Sequence, residues 1–354
     1  MDRKTLGFIA GKLVVLMTSV VAVISVISVI IYQAPVDPAS LQFGQRMDSQ
    51  ALDAMRRENF LDQPYSIQLA RYLEDLSPLQ VLKSSDGRLA HYRYQTLWAG
   101  TDRLLILKRP WLRRSYSNGE PVSAMIGEAL PATLLLGAAA LLIAAIFGLA
   151  LGMVAALFRD RWPDQLILSA TTVLYSVPGY VAAILLALVF GYYLRGWTGL
   201  PLQGSVFGLD DFGNDDLQWN KLVLPSLALG LRPVAMIVQM TRSAMLEALS
   251  EPYARTASAL GIVRMRILFV HAFPNALNPI LTTFSGWMAS LLTGAFFVEY
   301  VFNFRGLGDL TIQALSQFDV PVVLGCCVVT VTIFIAINTL ADLAYRWADP
   351  RVRI

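Results

Sequence analysis

The sequence predicts an all-α polytopic membrane protein. It should have six transmembrane helices, with a small α+β extracytoplasmic lid between the first and the second. Three observations lead there. The 354 residues are 56% hydrophobic and only 15% charged, against about 25% charged in soluble domains, and mean hydropathy is +0.55. Six stretches have the ~20 apolar residues that cross a bilayer at ~1.5 Å each. Between the first two lies a long segment, 33–128, of mixed and ordered character.

The spans run Leu13–Tyr32, Ala132–Phe158, Ile167–Tyr193, Leu222–Met240, Leu277–Val298 and Val322–Tyr345. The first follows Arg3, Lys4 and Lys12, as a signal peptide would. Its apolar run exceeds the about 7–15 residues of a signal sequence and no clear small-x-small cleavage site follows, so 1–32 is expected to be a retained anchor. Within 33–128, Ser49–Leu73 reads as helix with a break at Asp62-Gln63-Pro64. Leu89–Leu97 alternates as a strand through Tyr92, Tyr94 and Thr96, with Arg103–Lys108 as its partner. Ser117-Asn118-Gly119 signals a turn. Five helices then fill 129–346, ahead of a tail at 347–354. The fourth span is the weakest, because it carries Pro225, Arg232 and Pro233.

Arginine and lysine set the orientation. With the amino terminus inside, the inner segments hold Arg3, Lys4, Lys12, Arg159, Arg161, Arg242, Arg255, Arg264, Arg266, Arg346, Arg351 and Arg353. The short outer loops hold Arg195, Lys221 and Arg305 beside Asp210, Asp211, Asp215, Asp216, Asp309 and Asp319. Both termini are therefore expected in the cytoplasm of a multi-pass inner-membrane protein.

Several classes of function lose support. A net charge of +3 on scattered residues offers nothing to nucleic acid. Cys326 and Cys327 are adjacent, so a disulfide between them is not expected. His91 and His271 are the only histidines, and no metal spacing is present. No His-Glu-x-x-His helix or paired intramembrane aspartate supports a membrane-embedded enzyme. A receptor or scaffold is a further alternative; the broken helices and the inner loop argue against it.

The most informative segment is 250–279. It is polar, helix-forming and set between two apolar runs. Ser250 fits a helix cap, Pro252 a first turn, and Gly261 a left-handed terminus. Ala254, Ala257, Ser258 and Gly261 recur at i, i+3, i+4 and i+7, a smooth face flanked by Glu251 and Arg255. That face would suit a partner surface or packing against its own bundle. A second helix is expected from Ile262 to Phe273, ended by Pro274.

Other residues point to a path through the membrane. Pro178-Gly179, Pro225, Pro233 and Asn278-Pro279 interrupt spans, either as bends lining a path or as ordinary irregularity. Arg232 sits mid-span, where a charge costs at least about 2.5 kcal/mol. It should meet substrate carboxylates, backbone carbonyls or a partner subunit, unless the span is shifted and leaves it at an interface. Trp287, Tyr180 and Tyr193 suit the path or an aromatic belt. Met236, Met240 and Met288 read as packing, and Glu299 as an anchor for the last outer loop.

Arg255-Thr256-Ala257-Ser258-Ala259-Leu260-Gly261, followed by His271-Ala272-Phe273-Pro274-Asn275-Ala276-Leu277, resembles the EAA loop of ABC importer permeases. It is most similar to that of the dipeptide/oligopeptide/nickel permease family. Leu61-Asp62-Gln63-Pro64, Arg114-Ser115-Tyr116-Ser117, Leu130-Pro131-Ala132-Thr133-Leu134, Ser176-Val177-Pro178, Val301-Phe302-Asn303 with Gly306-Leu307-Gly308, and Asp349-Pro350-Arg351 match in order. Arg255 and Thr256 replace the glutamate and first alanine of the general consensus. Val36-Asp37-Pro38 stands for an early Gly-Asp-Pro, and 78–110 has no obvious counterpart.

The resemblance implies a permease subunit of an ATP-driven importer for peptides or similar small solutes, with nickel chelates, sugars or opines as alternatives. It implies a second related permease, two ATPase subunits and an extracytoplasmic substrate-binding protein. The ATPase contact would fall on Glu251, Tyr253, Arg255, Thr256, Ala257, Ala259 and Gly261, and the path on Pro178, Arg232 and Trp287. The chain has no Gly-x-x-x-x-Gly-Lys-Ser/Thr phosphate loop. No cofactor and no catalytic residue are therefore expected, and ATP would be used by the partner.

Overall fold

The computed structural model of the chain describes residues 3–33, 62–209 and 215–348. The expected helix over 49–61, Val36-Asp37-Pro38, Asp210, Asp211 and Asp349-Pro350-Arg351 lie outside these residues. Among the described residues, five helices are long and apolar enough to cross a membrane, or six if one bent pair counts as a single span. The chain divides into two compact units, 1–128 with 310–332, and 129–309 with 333–354.

In the first unit, α1 (Arg3–Gln33) contains the first expected span. Helix α2 (Tyr65–Leu76) carries an apolar stripe at Leu69, Tyr72, Leu73 and Leu76. That stripe packs on Val20, Ile24 and Ile27 of α1, and on Val320, Leu324 and Val328 near the start of the final helix. The Tyr65 hydroxyl donates to the Ser25 carbonyl at 3.0 Å. Three antiparallel strands follow, β1 (Leu79–Lys83), β2 (Tyr94–Ala99) and β3 (Arg103–Lys108), in the order β1-β3-β2. Gln80, Leu82, Ile106 and Lys108 face inward, as period two requires.

Two details differ from the sequence reading. The strand expected at Leu89–Leu97 begins at Tyr94, because Gly87–His91 form a tight 3₁₀ turn. Asp86 causes this by accepting from the Arg88 backbone N–H and side chain, a local bond that competes with the sheet ladder. Strand β1 was not expected from the sequence, although Leu79–Lys83 alternates between exposed and buried.

Asp75 ties this unit together. One oxygen accepts from the Tyr92 hydroxyl at 2.6 Å and the other from the Arg113 Nε at 2.8 Å. Its main-chain carbonyl takes the Lys108 ammonium and the Trp111 N–H.

Helix α3 (Val122–Leu157) accommodates Pro131 in its interior and covers the second expected span except its last residue, Phe158. The stretch expected as the third span is bent. Instead of one helix over Ile167–Tyr193 there are two, α4 (Trp162–Ser176) and α5 (Gly179–Leu186), bent by 105°. Pro178 is the cause: it lacks an N–H and forces Val177 into an extended backbone, ψ 128°. A π-helical turn, Ala187–Tyr193, and a short α6 (Arg195–Thr198) lead to the hairpin β4 (Phe207–Leu209) and β5 (Asp215–Leu217).

Helix α7 (Asn220–Ser250) runs beyond the expected fourth span and is the most buried of the apolar helices. Its weak hydropathy has a simple origin, since a helix surrounded by protein need not be apolar on every side. Gly148 and Gly152 of α3 let it come close: a Cβ at Gly152 would lie 2.5 Å from the Cβ of Thr241. Small residues four apart serve the same purpose in many membrane helix pairs.

Helix α8 (Pro252–Ala259) and the single turn α9 (Arg264–Arg266) follow. A π-helical turn at Ile267–Ala272 then runs directly into α10 (Phe273–Phe302). The expected stop at Pro274 is thus overturned. A proline in the first turn of a helix gives up an N–H that has no intrahelical partner anyway. Helices α11 (Leu307–Ser316) and α12 (Val320–Ala348) complete the chain. The core of the second unit joins Ala132, Leu136 and Ala140 of α3 to Ala183, Leu224, Ala228, Leu291, Ala295 and Phe302.

Candidate functional site

The 250–279 segment is built on the end of α7. Ser250 is the last residue of that helix, and its hydroxyl donates to the Glu247 carbonyl at 2.7 Å. The expected cap at Ser250 is therefore corrected: Glu251 occupies the cap position of α8, with no side-chain bond to the helix. Pro252 fills the first turn as expected. Gly261 has φ +77°, the left-handed terminus that glycine adopts without strain.

The small-residue face divides. Ala254 and Ala257 are buried against Ile267, with Leu249 and Ile262 alongside. Glu251, Tyr253, Arg255, Thr256, Ala259 and Gly261 are exposed, and Leu260 is 75% exposed. Of the seven residues expected at a partner, six therefore form an open rim and Ala257 supports it from beneath.

Two contacts tie the segments on either side of this rim to the bundle. The Arg264 guanidinium donates to the Leu157 carbonyl at 3.1 Å. Upstream, Arg242 grips Asp164 with two bonds of 2.6 Å, and the Asp160 N–H adds a third to the same carboxylate at 2.9 Å.

Pro178, Arg232 and Trp287, the three expected path residues, line one cavity of about 580 Å³. It is formed by the start of α5, the middle of α7, the face of α10 with Ser290 and Gly294, and Phe334 of α12. Tyr180 and Phe297 stand on its wall with ring centroids 6.2 Å apart. The Arg232 guanidinium lies 5.4 Å from the centre of the Tyr175 ring, a cation–π pairing across α7 and α4.

A third set of residues ties the end of α10 to α11. Glu299 is fully buried, and one of its oxygens accepts from the backbone N–H of Gly308 at 2.7 Å and of Asp309 at 3.2 Å. The Thr133 hydroxyl receives the Leu307 N–H at 2.8 Å. A side chain at Gly308 would collide with the backbone of Phe296. The anchoring expected of Glu299 is what its contacts provide.

Some connections had no usable signal in the sequence. Ser115-Tyr116-Ser117 surrounds the Asp319 carboxylate, which accepts from the Ser115 hydroxyl and from the N–H groups of Tyr116 and Ser117. Burial pushes the Tyr116 phenol up to about 12. Asp164–Arg242 and Asp75–Arg113 are pairs of the same kind, each joining residues far apart in the chain. Among the described residues, no cluster of three or more His, Cys, Asp or Glu side chains could hold a metal.

Known proteins resemble this chain closely. Residues 148–354 match the family of binding-protein-dependent transport system inner membrane components, and 5–86 match the N-terminal model of the same systems. A Brucella abortus (strain 2308) protein assigned as a peptide transport system permease is 36% identical over 321 residues, 90% of each chain. The di/tripeptide transport system permease DppB of Pseudomonas aeruginosa (strain UCBPP-PA14) is 39% identical over 240 residues, 63% of this chain and 70% of its own. The glutathione transport system permease GsiC of Salmonella paratyphi A (strain ATCC 9150 / SARB42) is 29% identical over 98% of this chain and 99% of its own. A solved structure of the inward-facing MetNI methionine ABC transporter shares the fold over 65% of this chain and 99% of its own, at 17% identity and a TM-score of 0.51.

Apolar helices, a bent helix pair and these likenesses define a multi-pass transport subunit. The chain belongs to the family of binding-protein-dependent transport system inner membrane components. It is the permease subunit of an ABC importer and not itself an enzyme.

Proposed function

We propose that the chain carries peptides or similar small solutes inward, by alternating access driven from a separate ATPase. The observation that carries this reading is the open rim of α8. A short helix with Tyr253, Arg255, Thr256 and Leu260 turned outward is stapled to α7 and α3 by its own buried alanines and by Arg264. A subunit that seats this helix can push on α7 without touching the cavity. The bent pair α4–α5 then counts as one span, giving six, with both termini in the cytoplasm and 33–128 outside. A second related permease, two ATPase subunits and an extracytoplasmic binding protein complete the assembly. The peptide class follows the names of the relatives.

Reconstitution tests it. Vesicles containing the permease pair, the ATPase and the binding protein should accumulate a labelled tripeptide only when ATP is supplied on the ATPase side. Uptake at the same rate without the ATPase would overturn the reading.

A further inference from the structure

We propose that the cavity between α5, α7 and α10 binds the free C-terminal carboxylate of a short peptide, with Arg232 and the start of α5 as its two anion-binding elements. This rests on the reading that the cavity lies on the solute path. Arg232 is the one charged group among the lining residues. Among the described residues no carboxylate pairs with it; its neighbour is the face of Tyr175. A guanidinium midway along an apolar helix is costly to keep and is retained for a charged partner or a watery cavity. Its planar fork matches a carboxylate with two parallel hydrogen bonds.

The second element is independent of the first. The break at Pro178 makes Gly179 the beginning of a new helix inside the membrane region, and no side chain caps it. Pro178, Gly179 and Tyr180 all line the cavity. Helix starts present unpaired N–H groups and a partial positive charge. Half-helices that begin at mid-membrane are a physical solution for holding anionic substrate groups. Both positive elements therefore open onto one space. Four aromatic residues, Tyr180, Trp287, Phe297 and Phe334, share the remaining wall with Leu229, Leu291 and Val298, a mostly apolar lining that suits the side chains of a peptide better than its charged amine. The volume falls in the range of small-ligand sites, about 300–1,000 Å³.

The test compares trialanine with its C-terminal amide, in the wild type, Arg232→Gln and Arg232→Lys. Two readouts are taken: ATP-driven uptake by the reconstituted assembly, and direct titration of the solubilised permease–ATPase complex without binding protein. Loss of a charge-assisted pair should weaken the acid about tenfold or more in Arg232→Gln. The amide should be unchanged, and Arg232→Lys should recover part of the difference. Preferences of the binding protein cancel, because the acid-to-amide ratio is compared between variants. Equal loss for both peptides assigns Arg232 a structural role and overturns the proposal, as does no loss for either. If the wild type fails to accumulate either peptide, the transport reading fails, and the titration still decides the carboxylate site.

Discussion

Asp164 is almost wholly buried, yet one guanidinium occupies both of its oxygens at 2.6 Å. Buried ion pairs gain little over an apolar substitute, but stranding one partner costs about 3–5 kcal/mol. Arg242→Ala should therefore lower the midpoint of thermal unfolding in detergent more than the double variant Asp164→Ala/Arg242→Ala does. Additive losses would show that the two side chains do not act as a pair. Asp319 makes a parallel case in the first unit. Three donors from Ser115, Tyr116 and Ser117 converge on it, and an orphaned buried donor costs about 1–3 kcal/mol. Asp319→Ala should make the Ser117–Gly119 turn a new site of limited proteolysis, while Gln317→Ala, which removes only an exposed contact to Ser117, should leave it resistant.

At the level of elements, the turn after α8 and the break before α5 are both set by one residue. Gly261 holds φ +77° and donates its N–H to the Ser258 carbonyl at 3.1 Å. Proline is fixed near −65° and has no N–H, so Gly261→Pro should spoil the rim while leaving the spans intact. We expect normal membrane levels, continued ATP hydrolysis by the assembled partner and loss of uptake; normal uptake at normal expression would count against α8 as the coupling element. Pro178→Ala should let α4 run on toward α5, and reduce transport without reducing expression. These two elements also show where the sequence could be read. The turn at Gly261 was legible because Pro252 and Gly261 are local signals that bracket a helix. The spans were legible because apolar length is a local property. Pro178 revealed a break but not its 105° bend, which depends on packing against α7. The strand over 89–97 was misplaced because the Asp86–Arg88 turn competed with the alternation. No local pattern pairs Asp164 with Arg242 or Asp319 with Ser115, since burial of a carboxylate is decided by the fold that surrounds it. Among the residues expected on a path, Arg232 stood out for its cost in lipid, and Trp287 did not differ in sequence from a belt tryptophan.

At the scale of the whole molecule, the decisive property is which side of the membrane each end of the bundle faces. If α8 is where an ATPase couples, the rim must lie on the side where ATP is, which is the side the positive-inside rule predicts from arginine and lysine. Leu260 beside the rim and Trp197 in α6 are 75% and 94% exposed, and both are free of the hydrogen-bonded pairs described above. Each can be replaced by cysteine in a background lacking Cys326 and Cys327. A membrane-impermeant maleimide should label Leu260→Cys only in inverted vesicles and Trp197→Cys only in right-side-out ones. The opposite pattern would put the rim outside, beyond reach of any nucleotide-driven partner, and the transport mechanism would fail at its first step. Labelling of Leu260→Cys that is lost when the ATPase is bound, and restored when it is stripped away, would place the partner on this helix directly.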